Sequence, residues 1–409
     1  MINYFHIYKG GFKLSLKEKL FQKLEEKEQQ MIETRRHLHA NPELSFKEEN
    51  TAKFIEDFYR DKDVKVTANV GNGYGIIVEI NGKSSGRTIG LRADFDALPI
   101  QEEADVEFKS TNDGVMHACG HDVHTAYLLY LGEALIELKD EWNGTIKLIH
   151  QHAEEVPPGG AKSIVESGIL DDLNEVYGIH IFPMLEVGQV GLISGNSMAG
   201  RSNFDLTIQG SGGHGAMPHT THDALVAGSY FVAEAQTIVS RRMDPMDSVV
   251  VSVTAFDAPG GYNVIQDKVT LRGTVRYLNE DNKVPAYEAM KKITEGIENS
   301  FDVKCDLDYV YDYPVAYNHP QETQYVEDIL THSVGTYLDE IVHPKPSSGS
   351  EDFAYYTQKT PGTFIHVGSK PEGVEHPYPN HHPKFDVHEG ALLISAKTLG
   401  DVVLGRLEG

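Results

Sequence analysis

Between Met116 and Ala126 the chain reads Met-His-Ala-Cys-Gly-His-Asp-Val-His-Thr-Ala. The donors His117, Cys119, His121, Asp122 and His124 therefore crowd one short segment. Thiolate and imidazole are ligands that suit zinc and its neighbours, and a nearby carboxylate can orient or bridge them. In an extended segment His117, Cys119 and His121 alternate onto one face. The plainer alternative is a polar turn with a buried thiol and solvated imidazoles. The density of donors argues for a metalloenzyme, and such a site needs ligands from elsewhere in the chain.

After an apolar run ending at Gln151 come His152-Ala153-Glu154-Glu155, two adjacent carboxylates. In extended chain neighbours point opposite ways, so one glutamate can bind metal while the other faces a water as general base. A solvated acidic pair is the alternative, but strand ends of an open α/β sheet are where ligands bind. His180 ends the next expected strand, either as a ligand or as a satisfied core residue. Asn380-His381-His382-Pro383 adds two more imidazoles, with a surface loop as the plainer alternative. Gly210-Ser211-Gly212-Gly213-His214-Gly215 is a glycine-rich turn that presents His214; it lacks the lysine and hydroxyl of a phosphate loop. Gly260-Gly261-Tyr262-Asn263 is a similar turn, and Arg276 lies in an expected strand.

These groups must be positioned by elements the chain can build. With 409 residues it exceeds the size of a single core, so two packed units are expected. Ser15 with Glu18 and Ser45 with Glu48 match the capping box, placing helix starts near 16 and 46, the first helix stopping before Pro42. Strands are expected at 64–66, 75–80, 88–92, 145–151 and 175–180, with helices at 124–138 and 161–167. The alternation implies an α/β, helix-covered mixed sheet. From Ser202 the order becomes βαββαβ, the ferredoxin-like unit, whose ends return to one sheet and so allow insertion into another domain. The expected division is 1–201 with 313–409 for a discontinuous metal-binding catalytic domain, and 202–312 for the insert. Helices near 323–337 and 389–407 complete the first part.

A formal net charge of −25 and a pI near 5.2 argue against nucleic acid and anionic membrane partners. Two cysteines, one inside the metal cluster, favour a reducing and hence cytoplasmic setting. Met1 to Leu14 lacks the continuous apolar stretch of a secretory signal.

His117-Ala118-Cys119-Gly120-His121-Asp122, Ala153-Glu154-Glu155, Gly213-His214-Gly215-Ala216-Met217-Pro218-His219, Asn263-Val264-Ile265, Gly273-Thr274-Val275-Arg276 and Ser350-Glu351-Asp352-Phe353 occur together and in order. As a set they resemble the dinuclear metal amidohydrolases that include hippurate hydrolase, N-acetyldiaminopimelate deacetylase and the plant indoleacetyl-amino acid hydrolases. The likeness runs from about Arg35 to the end. It implies a zinc-peptidase-like catalytic domain interrupted by a lid or dimerisation domain, and a homodimer or higher homo-oligomer formed through it. Carried over by position, it implies Cys119, His121, Glu155, His180 and His381 as ligands of two divalent ions, manganese or zinc with cobalt and nickel also permitted. His382 is the fallback for His381. It further implies Glu154 as the base, His214 with Asn263 as steadying groups for the oxyanion, and Arg276 as the holder of a substrate carboxylate. The chain departs from the pattern at His152 and Gln266, where relatives commonly carry proline, and in the longer stretch before Leu14. The expected reaction is hydrolysis of a small N-acyl amino acid, Glu154 taking a proton from an activated water and returning it to the leaving amine. A metallo-exopeptidase acting on short peptides and a catalytically silent metal-binding dimer are the alternatives.

Overall fold

A computed structural model describes residues 14–407, so the segment before Leu14, whose extra length the sequence singles out, lies outside the described residues. Helices α1 (Leu16–Glu26), α2 (Glu28–Ala40) and α3 (Glu49–Tyr59) precede strands β1 (Lys65–Val70), β2 (Gly75–Asn81) and β3 (Thr88–Asp94). Then come α4 (His121–Glu137), β4 (Thr145–Gln151), α5 (Gly160–Glu166), β5 (Glu175–Phe182), β6 (Gln189–Gly191) and β7 (Gly195–Met198). The βαββαβ stretch contains β8 (Gly200–Gln209), β9 (Gly213–His214), α6 (Ala224–Arg242), β10 (Val249–Asp257), β11 (Val264–Ile265), β12 (Lys268–Tyr277), α7 (Lys283–Phe301) and β13 (Lys304–Tyr311). The chain closes with β14 (Ala316–Asn318), α8 (Pro320–Thr331), β15 (Glu340–Val342), α9 (Ala354–Lys359), β16 (Gly362–Gly368) and α10 (Gly390–Leu407).

The larger sheet has eight strands in the order β1-β2-β4-β3-β5-β16-β6-β15. Its centre, β4-β3-β5-β16, is parallel, while β1, β2 and β6 add antiparallel contacts. Strands β3, β4, β5 and β16 are buried along nearly their whole length because helices cover both faces. One face carries α1, α2, α4 and α10 in the principal core; the other packs α5 and α9 around Ile77, Ile149, Val176 and Phe364. The smaller sheet is antiparallel, β10-β12-β8-β13, the ferredoxin-like order expected. In β8 burial alternates residue by residue, since α6 and α7 cover only one face and build a separate core.

Several expected elements differ in their bounds, the helix expected at 323–337 running from Pro320 to Thr331, and three others differ in detail. The first helix is two, broken at Lys27, whose ammonium reaches Glu133 and Glu137 of α4. The Ser45 capping box does not form: Ser45 donates its hydroxyl to Asp96, and α3 starts later with its first N–H groups accepted by the Glu43 carboxylate. His180 lies inside β5 rather than at its end, because parallel pairing with β16 extends the strand to Phe182.

Candidate metal centre

The donor-rich segment turns instead of running extended. Gly120, at φ +90°, ends the approach and α4 begins at His121, so His117, Cys119 and His121 do not share a face. A Cβ on Gly120 would sit 2.4 Å from Ile181 Cδ1, which is why glycine stands there. Cys119 and His121 come together with His180. His117 is buried to one side, where burial lowers its imidazole to about 4. Asp122 is held by Arg35 and His39 at 2.8 and 2.9 Å. His124 is spent on the scaffold: Nε2 accepts the Ile181 N–H at 3.0 Å, leaving Nδ1 to donate to Asp94 at 2.6 Å.

The paired glutamates also break the extended rule. Ala153 adopts φ +50°, a costly conformation for a residue with a Cβ, and the bend brings both Glu154 and Glu155 to one cavity. Two buried carboxylates hold it: Glu48 accepts the Ala153 N–H at 2.8 Å and Asp96 accepts the Glu155 N–H at 3.0 Å. Burial, with Asp96 alongside, pushes Glu48 up to about 8. Burial and the carboxyls of Glu351, Glu155 and Asp352 hold Glu154 well above the usual carboxylate range.

Around this cavity of about 370 Å³ the ligand-type atoms form overlapping sets within 4.8 Å: Cys119, His121 and His180; Cys119, Glu155 and His381; and His121, Glu154 and Glu155. The tautomers suit cations. His121 Nδ1 donates toward the Asp96 carbonyl oxygen at 3.0 Å and His180 Nδ1 to the Ile181 carbonyl at 2.8 Å, so each Nε2 is left to face the neighbouring ligand-type atoms. His121 Nε2 is buried without a hydrogen bond. So is Glu155 Oε1, although His381 Nε2 lies 3.2 Å away. A buried polar atom left unpaired is costly, and a thiol, imidazoles and carboxylates around such atoms fit divalent cations of the zinc and manganese class.

His381 faces Cys119 and Glu155, whereas the His382 ring stacks on Tyr378 and its Nδ1 accepts the Lys384 N–H. Arg276 lines the cavity. His214 and Asn263 do not; they meet where β9 pairs with β11, His214 exposed to solvent. His152 is buried against Phe46 and bonds Asn72, away from the cavity lining. Sequence reasoning missed several groups. Arg92 ties Asp94, Glu351 and Asp352 at 2.7 to 2.9 Å beneath the site. Arg201, Tyr313 and Phe182 line the cavity, and Tyr313 donates to the Glu154 carbonyl at 2.6 Å. Only the Ser350-Glu351-Asp352-Phe353 motif signalled any of these; the rest lie in ordinary strand sequence.

No helix among the described residues is long and apolar enough to cross a membrane. The model of a family described as peptidase family M20/M25/M40 matches residues 90–404. The chain is 37% identical over 385 residues to thermostable carboxypeptidase 2 of Saccharolobus solfataricus, covering 94% of this chain and 97% of that one. It is 40% identical over 305 residues to an N-acyl-L-amino acid amidohydrolase of Geobacillus stearothermophilus, covering 75% and 82%. The crystal structure of the Bacillus subtilis protein YXEP, a dinuclear metal binding peptidase of the M20 family, matches with a TM-score of 0.80 at 31% identity over 94% of this chain and 99% of that one.

Proposed function

The chain belongs to peptidase family M20/M25/M40, and from that premise we propose that it hydrolyses the amide bond of small N-acyl amino acids with two divalent cations per subunit. The observation that carries this reading is the overlap of two ligand sets at Cys119, with Glu154 beside them in one cavity. Cys119, His121, Glu155, His180 and His381 are the ligands. Cations bound there supply Lewis-acid polarisation of the carbonyl and lower the pKa of water toward roughly 7.

Glu154 is the general base. Its carboxylate accepts a proton from the attacking water and delivers it to the leaving nitrogen. The Tyr313 hydroxyl on its backbone carbonyl and the left-handed Ala153 fix where that carboxylate points. Arg276 holds the substrate carboxylate. Residues 1–201 with 313–409 form the catalytic domain, and residues 202–312 form a lid through which the protein dimerises in the cytoplasm. His214 and Asn263, exposed at the lid ribbon of one chain, steady the oxyanion in the site of a second copy.

A second reading, exopeptidase action on short peptides, is favoured by the likeness to the Saccharolobus carboxypeptidase. Metal-stripped protein reloaded with manganese, zinc, cobalt or nickel is assayed on N-acyl amino acids and on dipeptides at equal metal content. Higher kcat/KM on acyl amino acids supports the proposal, a reversed ranking transfers it to the peptidase, and stoichiometric metal without turnover of any amide removes both.

A further inference from the structure

Arg201 on β8 and Arg276 on β12 are direct partners in the antiparallel register, and both line the cavity. Like charges directly opposite each other destabilise a strand pair. The strain is felt at Arg276, whose guanidinium is brought down to about 10 by burial and then by Arg201. One carboxylate serves the two. Arg201 Nε donates to Asp312 Oδ2 at 3.1 Å, and its Cζ lies 4.8 Å from the centroid of the Tyr313 ring. Arg276 Nη1 donates to the neutral Ser350 Oγ at 2.5 Å.

We propose that Arg201 is the second arm of an anion clamp, so that the substrate's free carboxylate is held between Arg201 and Arg276. The inference rests on the acyl amino acid reading above and names a specificity-determining residue for it. Three features favour a carboxylate. The Asp312 bond and the Tyr313 ring fix the plane of Arg201 by Nε and by stacking, which turns its terminal nitrogens into a preset fork. With Asp312 ionised, the group of three carries one positive charge, matched by a monoanion. Among the described residues the Arg276 side chain makes its one hydrogen bond to the neutral Ser350 hydroxyl, which leaves its other donors for a ligand.

The test uses manganese-loaded wild type, R201Q and R201K with an N-acetyl amino acid and its C-terminal carboxamide. The readout is kcat/KM, or the competitive inhibition constant for a form that is not turned over. R201Q is expected to raise KM for the acid about ten- to hundred-fold while kcat stays within about threefold. R201K is expected to recover part of the loss, and the carboxamide to respond equally to all three proteins. Equal losses on acid and carboxamide overturn the clamp and leave Arg201 as a structural partner of Asp312. Failure of wild type on every acyl amino acid instead overturns the hydrolase reading, so the two failures are distinct. Melting temperatures identify a misfolded variant, and R201K then decides.

Discussion

Glu154 and Glu48 are both buried acids, and they are expected to behave differently. E154Q keeps the cavity's shape and every assigned ligand but removes the proton acceptor. Metal content measured by elemental analysis should be unchanged while kcat falls by about 10² to 10⁴; retained turnover excludes Glu154 as the base. Glu48 acts through the backbone, accepting the Ala153 N–H. Its folded pKa near 8 lies above that of the unfolded chain, so the native state binds the extra proton between the two values. Its contribution to stability is therefore full below about pH 4.3 and declines as pH rises toward 8. E48Q retains an acceptor oxygen and cannot ionise. Its melting temperature should fall less than that of wild type between pH 5 and pH 8, and identical pH dependence would show that Glu48 does not carry that burden. The position of Glu154 just beyond β4 was legible from the apolar run that precedes it. Glu48 was misread as half of a capping box, because its partner lies 105 residues away.

At the level of elements, the loops between strand and helix do the positioning. The junction at Gly120 demands a left-handed residue and leaves no room for a Cβ beside Ile181. G120A combines backbone strain of about 1–2 kcal/mol with an overpacking cost of about 1–3 kcal/mol. Urea unfolding should register that loss, and elemental analysis weaker metal binding, since the proposed ligands Cys119 and His121 flank the turn. A fully stable variant would mean that the turn relaxes without cost. Strand β4 and the paired β8 and β12 were legible to within a residue or two from apolar periodicity. The turns were not: alternation in extended chain separates Glu154 from Glu155 and aligns His117, Cys119 and His121, whereas positive φ at Ala153 undoes the first, and the Ala118 N–H to Met116 carbonyl turn together with positive φ at Gly120 undoes the second.

For the whole molecule, the question is where His214 acts. It sits exposed on the β9–β11 ribbon and is absent from the cavity lining of its own chain. If it serves a partner's site, E154Q and H214A are each nearly inactive alone. Mixed one to one under conditions of subunit exchange, they should recover about a quarter of wild-type activity, because half the dimers then contain one complete site. No recovery on mixing, with exchange demonstrated by labelled subunits, places the action of His214 within its own chain or removes it from catalysis.

Composition, periodicity and donor spacing by themselves determined the α/β class, the βαββαβ stretch and the Cys119, His121 and Glu154-Glu155 neighbourhoods, because each depends on residues close together in the chain. Tertiary structure alone decided that His381 rather than His382 faces Cys119 and Glu155, that His117 and His124 turn away, and that Arg201 stands opposite Arg276. Those outcomes depend on which strands pair and where single residues adopt left-handed backbone, and no local pattern encodes a partner seventy-five or more residues distant.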